Sequence, residues 1–184
     1  MKQFHDLGDF LDHAWSLLTR GVADPKSVTK NPTFSTISDK GFPSMRTVVL
    51  RRINRTTNSL EIHTDIQTNK VLSLKKNNFA GLHFWIPKAK FQIRASVVVD
   101  ILTGLEVEDQ WNKVPTQSRV SYGSIPPPGI EINGPFDYQK LPNQDNFAVL
   151  KCDLVELDLL YLGALHQRAL YKIGDPSVST WVAP

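Results

Sequence analysis

The sequence has a single cysteine, no long apolar run and little excess charge of either sign. One cysteine excludes an intrachain disulfide and any cluster of thiolates for zinc or iron and sulfur, and we predict no metal site. Cys152 lies in the apolar run AVLKCDLVEL, which favours a small buried side chain without chemistry of its own. Because no apolar stretch approaches the roughly 20 residues of a membrane span, we expect no insertion into a bilayer.

The charge balance and the N-terminus narrow the functional classes further. A formal net charge of +3 permits nucleic-acid binding, but the sequence lacks the long Lys/Arg run that is typical of it, and an anionic small ligand is favoured. The N-terminal MKQFHDLGDF mixes acids and bases and lacks the apolar centre of a signal peptide. We therefore expect a cytoplasmic location.

The spacing of apolar residues predicts one mainly β domain over residues 1–184 with peripheral helices. A helix is predicted at His5–Arg20, in the N-terminal segment 1–24, with Asp9 as its cap and Gly21 as its end. Hairpin turns separate the β-like runs that follow, which is typical of an antiparallel barrel. These runs are Thr33–Ser38, Met45–Ile53, Leu60–Thr64, Ala80–Ile86, Phe91–Leu102, Phe147–Leu162 and Ala169–Ile173.

Three segments interrupt the predicted strands. Val71 to Lys76 favours a short helix, and residues 106–120 favour one or two surface helices. Tyr122 to Asp145 is too rich in Pro, Gly and Asn for regular structure. We interpret it as an irregular functional loop, since long irregular connections in compact domains usually serve function, with a disordered linker as the alternative.

The polar group most informative about function consists of two arginines, two threonines and a lysine. A phosphate dianion is bound by guanidinium forks, a Lys ammonium, and hydroxyls at the start of a helix. The alternative is a set of solvated charges on strand edges and a helix. Arg46 and Arg51 lie an odd number of residues apart on one β-like run, so they can reach one ligand only at a twist or an edge. The group comprises Arg46, Arg51, Thr64, Thr68 and Lys70.

Five segments, in order, resemble those of the pyridoxamine 5′-phosphate oxidase-like family. They are PSMRTVVLRR, IHTDIQTNK, KFQIRASV, LHQRALY and STWVAP, and the resemblance runs from about Thr33 to Pro184. It implies an antiparallel split β-barrel that binds flavin mononucleotide (FMN) at the interface of a homodimer. It further implies an FMN-dependent oxidoreductase acting on a small organic substrate.

The resemblance also implies which residues contact FMN. Gln92 would hydrogen-bond the isoalloxazine edge, and Arg168 would lie near the pyrimidine end and tune the potential. Arg51 stands where the family generally has Lys, and Asn69 replaces an Arg, so one cation is lost beside the phosphate. The implied FMN contacts are Arg46, Thr47, Val48, Val49, Leu50, Arg51, Thr64, Thr68, Asn69, Lys70, Gln92 and Arg168.

The substrate side departs from the family pattern. The resemblance places Trp111, Ser118 and His166 against the substrate, and His166 and Arg168 as the catalytic pair. Val114 and Ala164 fall where the family has substrate-binding arginines, and Asp158 falls where it has a flavin-stacking Trp. We therefore expect a substrate other than pyridoxine phosphate. Genuine pyridoxamine or pyridoxine 5′-phosphate oxidation, and non-enzymatic storage of flavin or haem, remain the alternatives.

Overall fold

A curled antiparallel sheet forms the body of the protein. The structure, a computed structural model, describes residues 3–184. Every ladder between its strands is antiparallel, as predicted. The strands are β1 Thr33–Ile37, β2 Pro43–Thr47, β3 Leu50–Asn54, β4 Ser59–Asp65, β5 Phe79–Ile86, β6 Phe91–Thr103, β7 Ser124–Ile125, β8 Gln139–Lys140, β9 Phe147–Leu162, β10 His166–Lys172 and β11 Thr180–Val182.

Strand β9 organises the sheet because it has different neighbours at its two ends. Its first half pairs with β4 and its second half with β10, while β6 runs along its other edge. The order of the large sheet is β11-β10-β9-β6-β5-β1-β2, and β3 pairs with β4. Since β2 leads within three residues into β3, the strands close into a barrel from which β10 and β11 extend.

Four α-helices surround the barrel: α1 Leu7–Ala23, α2 Asn69–Lys76, α3 Glu108–Lys113 and α4 Thr116–Arg119. The predicted ends of α1 were wrong. Asp6 is the cap, since its carboxylate accepts from the Asp9 amide at 2.8 Å. Gly21 lies inside the helix, buried where a Cβ would come within 3 Å of Thr29. None of the helices among residues 3–184 is long and apolar enough to cross a membrane.

The core fills the barrel and extends beneath α1. Alternate residues of β6, including Phe91 and Ile93, are fully buried, and Phe10 of α1 packs on Phe91 at 5.1 Å between ring centroids. Cys152 is fully buried, which confirms the sequence-based interpretation. A second cluster lies under the α3 segment, where Trp111 packs against neighbouring aromatic rings.

The structure corrects the strand prediction for Met45–Ile53. This run is broken at Val48 and Val49, and the Val48 amide donates to the Pro32 carbonyl at 3.0 Å instead of continuing a ladder. A β-bulge between Leu50 and Arg52 then leaves Arg51 without a ladder partner. The segment therefore changes direction twice between Arg46 and Arg52.

The segment 122–145 is irregular, as predicted, apart from the β7–β8 ribbon and a 3₁₀ turn at Gln144–Asn146. It is attached to the barrel near its start, and its two ends are hydrogen-bonded to each other. The Gly123 amide donates to the buried Asp65 carboxylate at 2.8 Å, and the Asn143 amide donates to the Tyr122 carbonyl at 2.8 Å. These hydrogen bonds favour an ordered loop over the alternative of a disordered linker.

Candidate functional site

Thr64, Thr68 and Lys70 meet where β4 ends and α2 begins. The Lys70 ammonium donates to the Thr64 hydroxyl at 2.8 Å and to the Thr68 hydroxyl at 3.1 Å. Thr68 is the N-cap residue of α2, yet its side chain makes no capping hydrogen bond. The first turn of α2 is thus left without a side-chain cap beside an ammonium and two hydroxyls, the donor set that suits a phosphate.

A second cation lies close enough to act on Lys70. Burial, and then the positive charge of Arg46, lower the pKa of Lys70 to about 8, against an opposing effect of Asp65. The Arg46 guanidinium is held by the Thr36 hydroxyl at 3.0 Å and the Ser44 hydroxyl at 2.7 Å. Two cations close enough to interact favour binding of an anion. We call Arg46, Thr64, Thr68 and Lys70 the phosphate cluster.

The outer face of the sheet brings together the two residues predicted for the ring edge. Leu160 of β9 is paired with Gln92 of β6 on one side and with Arg168 of β10 on the other. The three residues form one row, in which Gln92 and Arg168 are two strand spacings, about 10 Å, apart. Gln92 is held by His83 across the ladder, with 3.2 Å between Oε1 and Nε2.

Arg168 is held in this row by an ion pair with a neighbouring carboxylate. Its guanidinium makes a two-pronged ion pair with Asp158, Nε to Oδ1 at 3.0 Å and Nη2 to Oδ2 at 2.8 Å. Arg94, directly opposite Asp158 in the ladder, donates to the same carboxylate. Asp158, which the resemblance placed at the position of a stacking ring, is instead an ion-pair partner of two arginines.

Arg51 lies in a cleft rather than with the hydroxyls of the phosphate cluster. Burial raises the pKa of Tyr122 against the opposing charge of Arg51, and burial followed by the same charge lowers the pKa of His63 to about 4. The His63 ring packs edge-on against Phe147 at 5.0 Å. The cleft has a volume of about 660 Å³ and is lined by Arg51, Arg52, Glu61, His63, Leu105, Glu106, Glu108, Asp109, Gln110, Lys113, Val114 and Pro115.

Part of the predicted FMN segment is core. The side chains of Val48 and Leu50 are buried among the apolar residues of the barrel, which argues against side-chain contact with a flavin, and their place among the FMN contacts stays a prediction. Their backbone alone can face a ligand. Thr47 is exposed and Val49 is half-buried, so both side chains remain accessible. Asn69 is the exposed first residue of α2.

The predicted substrate residues are scattered. Trp111 is buried between Tyr122 and Phe147, which is the placement of a core residue. Ser118 is half-buried in α4, and His166 is exposed at the start of β10. The three side chains thus lie on three different elements, and their contact with a substrate stays a prediction.

The irregular segment reaches the phosphate cluster. Gly129 approaches the start of α2 so closely that a Cβ at this position would lie 2.8 Å from the side-chain nitrogen Nδ2 of Asn69. Asp65 joins the two regions, because its carboxylate accepts from the Gly123 amide and its carbonyl accepts from the Thr68 hydroxyl at 2.9 Å. The loop therefore borders the residues predicted to hold the cofactor.

Comparison with known proteins identifies the family. Residues 12–103 match the family model for the FMN-binding domain of pyridoxamine 5′-phosphate oxidase. The chain belongs to this FMN-binding family. The matched range contains the phosphate cluster and Gln92, whereas Arg168 and the loop 122–145 lie beyond it.

Curated relatives share this part of the chain. The pyridoxine/pyridoxamine 5′-phosphate oxidase of Acinetobacter baylyi is 29% identical over 102 residues, which are 55% of this chain and 46% of that enzyme. The enzyme of Legionella pneumophila strain Lens is 26% identical over 87 residues, which are 47% of this chain and 40% of that enzyme. The chain thus matches less than half the length of these enzymes.

Solved structures of the family confirm the split barrel. An FMN-binding protein of Nostoc punctiforme, described as related to pyridoxamine 5′-phosphate oxidase, superposes with a TM-score of 0.76 at 22% identity, over 97% of this chain and 99% of that one. PhzG from Burkholderia lata, solved with tetrahydrophenazine-1-carboxylic acid, superposes with a TM-score of 0.73 at 18% identity, over 96% of this chain and 92% of that one. At these identities the likeness establishes the fold.

Three polar residues at these positions, Asp65, His83 and Arg94, were not singled out in the sequence. Asp65 follows Thr64 directly and could have been noticed as an acidic residue at the end of a predicted strand. His83 and Arg94 reach Gln92 and Asp158 only through ladder register, which the sequence does not give. Tyr122 marked the start of the predicted loop, but no local pattern indicated its interaction with Arg51.

Proposed function

We propose that the protein is an FMN-dependent oxidoreductase that acts on a small organic molecule. The observation that carries the proposal is the Lys70 ammonium, held by two hydroxyls at an uncapped helix start with the Arg46 guanidinium nearby. This donor set fits the phosphate of FMN in charge and in hydrogen-bonding capacity. When bound, FMN supplies two-electron chemistry that the surrounding residues orient and tune.

The residues divide into two roles toward the cofactor. The phosphate cluster would hold the phosphate, with the backbone of residues 47–50 beside it. The Gln92 amide would hydrogen-bond the ring edge, since an amide offers both a donor and an acceptor, and Arg168 would supply a cation there. His166, exposed next to this row, would be the proton donor or substrate contact.

The substrate is proposed to differ from pyridoxine phosphate. Val114 is buried and apolar, and Ala164 is exposed but uncharged, so neither replaces the arginines expected at these positions. Arg119 does not compensate, because its guanidinium donates to the Val114 carbonyl at 3.1 Å and lies over the Trp111 ring. A phosphate without its cationic partner would bind more weakly by about 2–5 kcal/mol.

A homodimer is part of the proposal. Ile37, Met45, Phe79 and Trp85 share the outer sheet face with Gln92, and Met45 and Phe79 are 70% and 63% exposed. Large apolar side chains grouped on one sheet face favour burial against another protein surface. A second copy of the chain would cover this face and enclose the row of Gln92 and Arg168.

Flavin binding tests the proposal directly. The chain purified without added cofactor is mixed with FMN and separated by gel filtration, and we expect about one FMN per chain to be retained. Lys70→Ala and Arg46→Ala should each weaken binding at least about tenfold, because each removes one of the two cations proposed to hold the phosphate. Lys75→Ala is the matched control, since Lys75 is exposed in the last turn of the same helix.

Two results would count against the proposal. Equal FMN affinity in the wild type and in both phosphate-cluster variants would mean that the phosphate binds elsewhere. Retained FMN that no nicotinamide or other reductant can reduce and that air cannot reoxidise would favour a flavin store over an enzyme.

A further inference from the structure

Asp158 is the centre of an ion triad on the outer sheet face. It accepts two hydrogen bonds from Arg168 and a third interaction from Arg94, and its side chain is only 12% exposed. Burial would raise the pKa of Asp158, but hydrogen bonds from Arg168 and the charges of both arginines outweigh burial and lower the pKa. Asp158 therefore stays ionised at neutral pH and fixes both guanidinium groups.

The triad adjoins the row of Gln92, Leu160 and Arg168. Asp158 precedes Leu160 by two residues on β9 and Arg94 follows Gln92 by two on β6, so all of them project from the same face. A flavin ring whose edge contacts Gln92 and Arg168 would therefore contact a guanidinium whose charge is offset by the Asp158 carboxylate, 2.8 Å from its Nη2 atom. Coulombic effects between charges this close are strong in a partly buried site.

We propose that Asp158 is a positioning residue that fixes Arg168 beside the ring edge of bound FMN and, by offsetting its charge, lowers the two-electron potential of the flavin. The inference rests on the proposed function. Reduction places negative charge on the flavin, so a nearby cation stabilises the reduced form and a nearby carboxylate destabilises it. Removing the carboxylate charge should therefore favour reduced FMN.

Potentials of the FMN-loaded protein test the inference. For Asp158→Asn we expect the affinity for reduced FMN relative to oxidised FMN to rise at least about tenfold, which corresponds to about 30 mV in a two-electron potential. Asp153→Asn is the matched control: it is the same substitution on the same strand and breaks an ion pair with Lys151 at 2.8 Å. Its potential should equal that of the wild type.

Arg168→Gln provides a second variant in case Asp158→Asn does not fold, because it removes a cation instead of leaving two arginines facing each other. Its potential should fall below that of the wild type. The inference is overturned if either folded variant binds FMN with the wild-type potential, or if Asp158→Asn lowers it. Failure of the wild type itself to retain FMN would instead refute the proposed function, and with it this inference.

Discussion

Lys70 shows how a single side chain can make cofactor binding depend on pH. Its ammonium is desolvated and faces the charge of Arg46, so its pKa is about 8 in the protein without a ligand. The phosphate of a monoester is already dianionic at that pH, since its second pKa is about 6. A bound dianion would raise the pKa of Lys70, so FMN binds to the protonated form.

We therefore expect FMN affinity to fall as the pH rises through 8. Between pH 7 and pH 9 the protonated fraction of Lys70 drops about tenfold, and the apparent Kd should rise by a similar factor, measured by quenching of flavin fluorescence. Lys70→Arg keeps its charge throughout this range, so its Kd should stay level. A wild-type Kd that is also level would show that Lys70 does not titrate on binding.

The sequence predicted individual residues best where one short segment contains several of them. IHTDIQTNK holds Thr64, Thr68 and Lys70 within seven residues, and the structure brings these three together. The orientation of Val48 and Arg51 depends on a strand break and a bulge that composition does not reveal. The contact of Asp158 with Arg94 depends on pairing between strands more than 60 residues apart, beyond any local pattern.

At the scale of elements, the loop 122–145 is attached at a position that requires glycine. Gly123 has φ of +125°, and a Cβ there would lie 2.1 Å from the Leu141 carbonyl oxygen. We expect Gly123→Ala to break the contact between the Gly123 amide and Asp65 and to free the loop. Limited trypsin digestion should then cleave after Lys140 at least about tenfold faster, because release of this contact makes local opening less costly by more than about 1 kcal/mol.

Gly41→Ala is the control for Gly123→Ala, because it introduces backbone strain at a positive φ without a steric clash. Gly41 also has a positive φ, +78°, but no atom lies within 4 Å of the position that its Cβ would take. It should fold with a small loss of stability and leave cleavage at Lys140 unchanged. If Gly123→Ala is cleaved after Lys140 no faster than the wild type, the contact between the Gly123 amide and Asp65 is not what holds the loop.

Element boundaries were harder to predict than element types. The N-terminal helix was expected from its apolar spacing, but Asp6 rather than Asp9 is its cap, and both are acidic residues followed by helical spacing. Gly21 resembles a helix end, yet it is needed for the close approach of Thr29. Met45–Ile53 has continuous β propensity, yet the strand is broken at Val48, whose amide donates to the Pro32 carbonyl.

At the scale of the whole molecule, the outer face of the sheet carries both exposed apolar side chains and the row that contains Gln92 and Arg168. Ile37, Met45, Phe79 and Trp85 lie on this face, and all are at least 41% exposed. A shallow cavity of about 330 Å³ lies among Ile37, Phe79 and Val155. Each large apolar side chain covered on association would contribute about 1.5–3 kcal/mol when fully buried, so a few central residues should dominate dimer stability.

Phe79→Glu should therefore convert the proposed dimer to a monomer. We expect light scattering to give twice the 20.7 kDa chain mass for the wild type and one chain mass for Phe79→Glu. The same substitution at Val28, which is 54% exposed outside this face, should leave the dimer intact. Since the row of Gln92 and Arg168 lies on the covered face, monomeric Phe79→Glu should also retain less FMN. A monomeric wild type with full FMN occupancy would instead place the whole cofactor site within one chain.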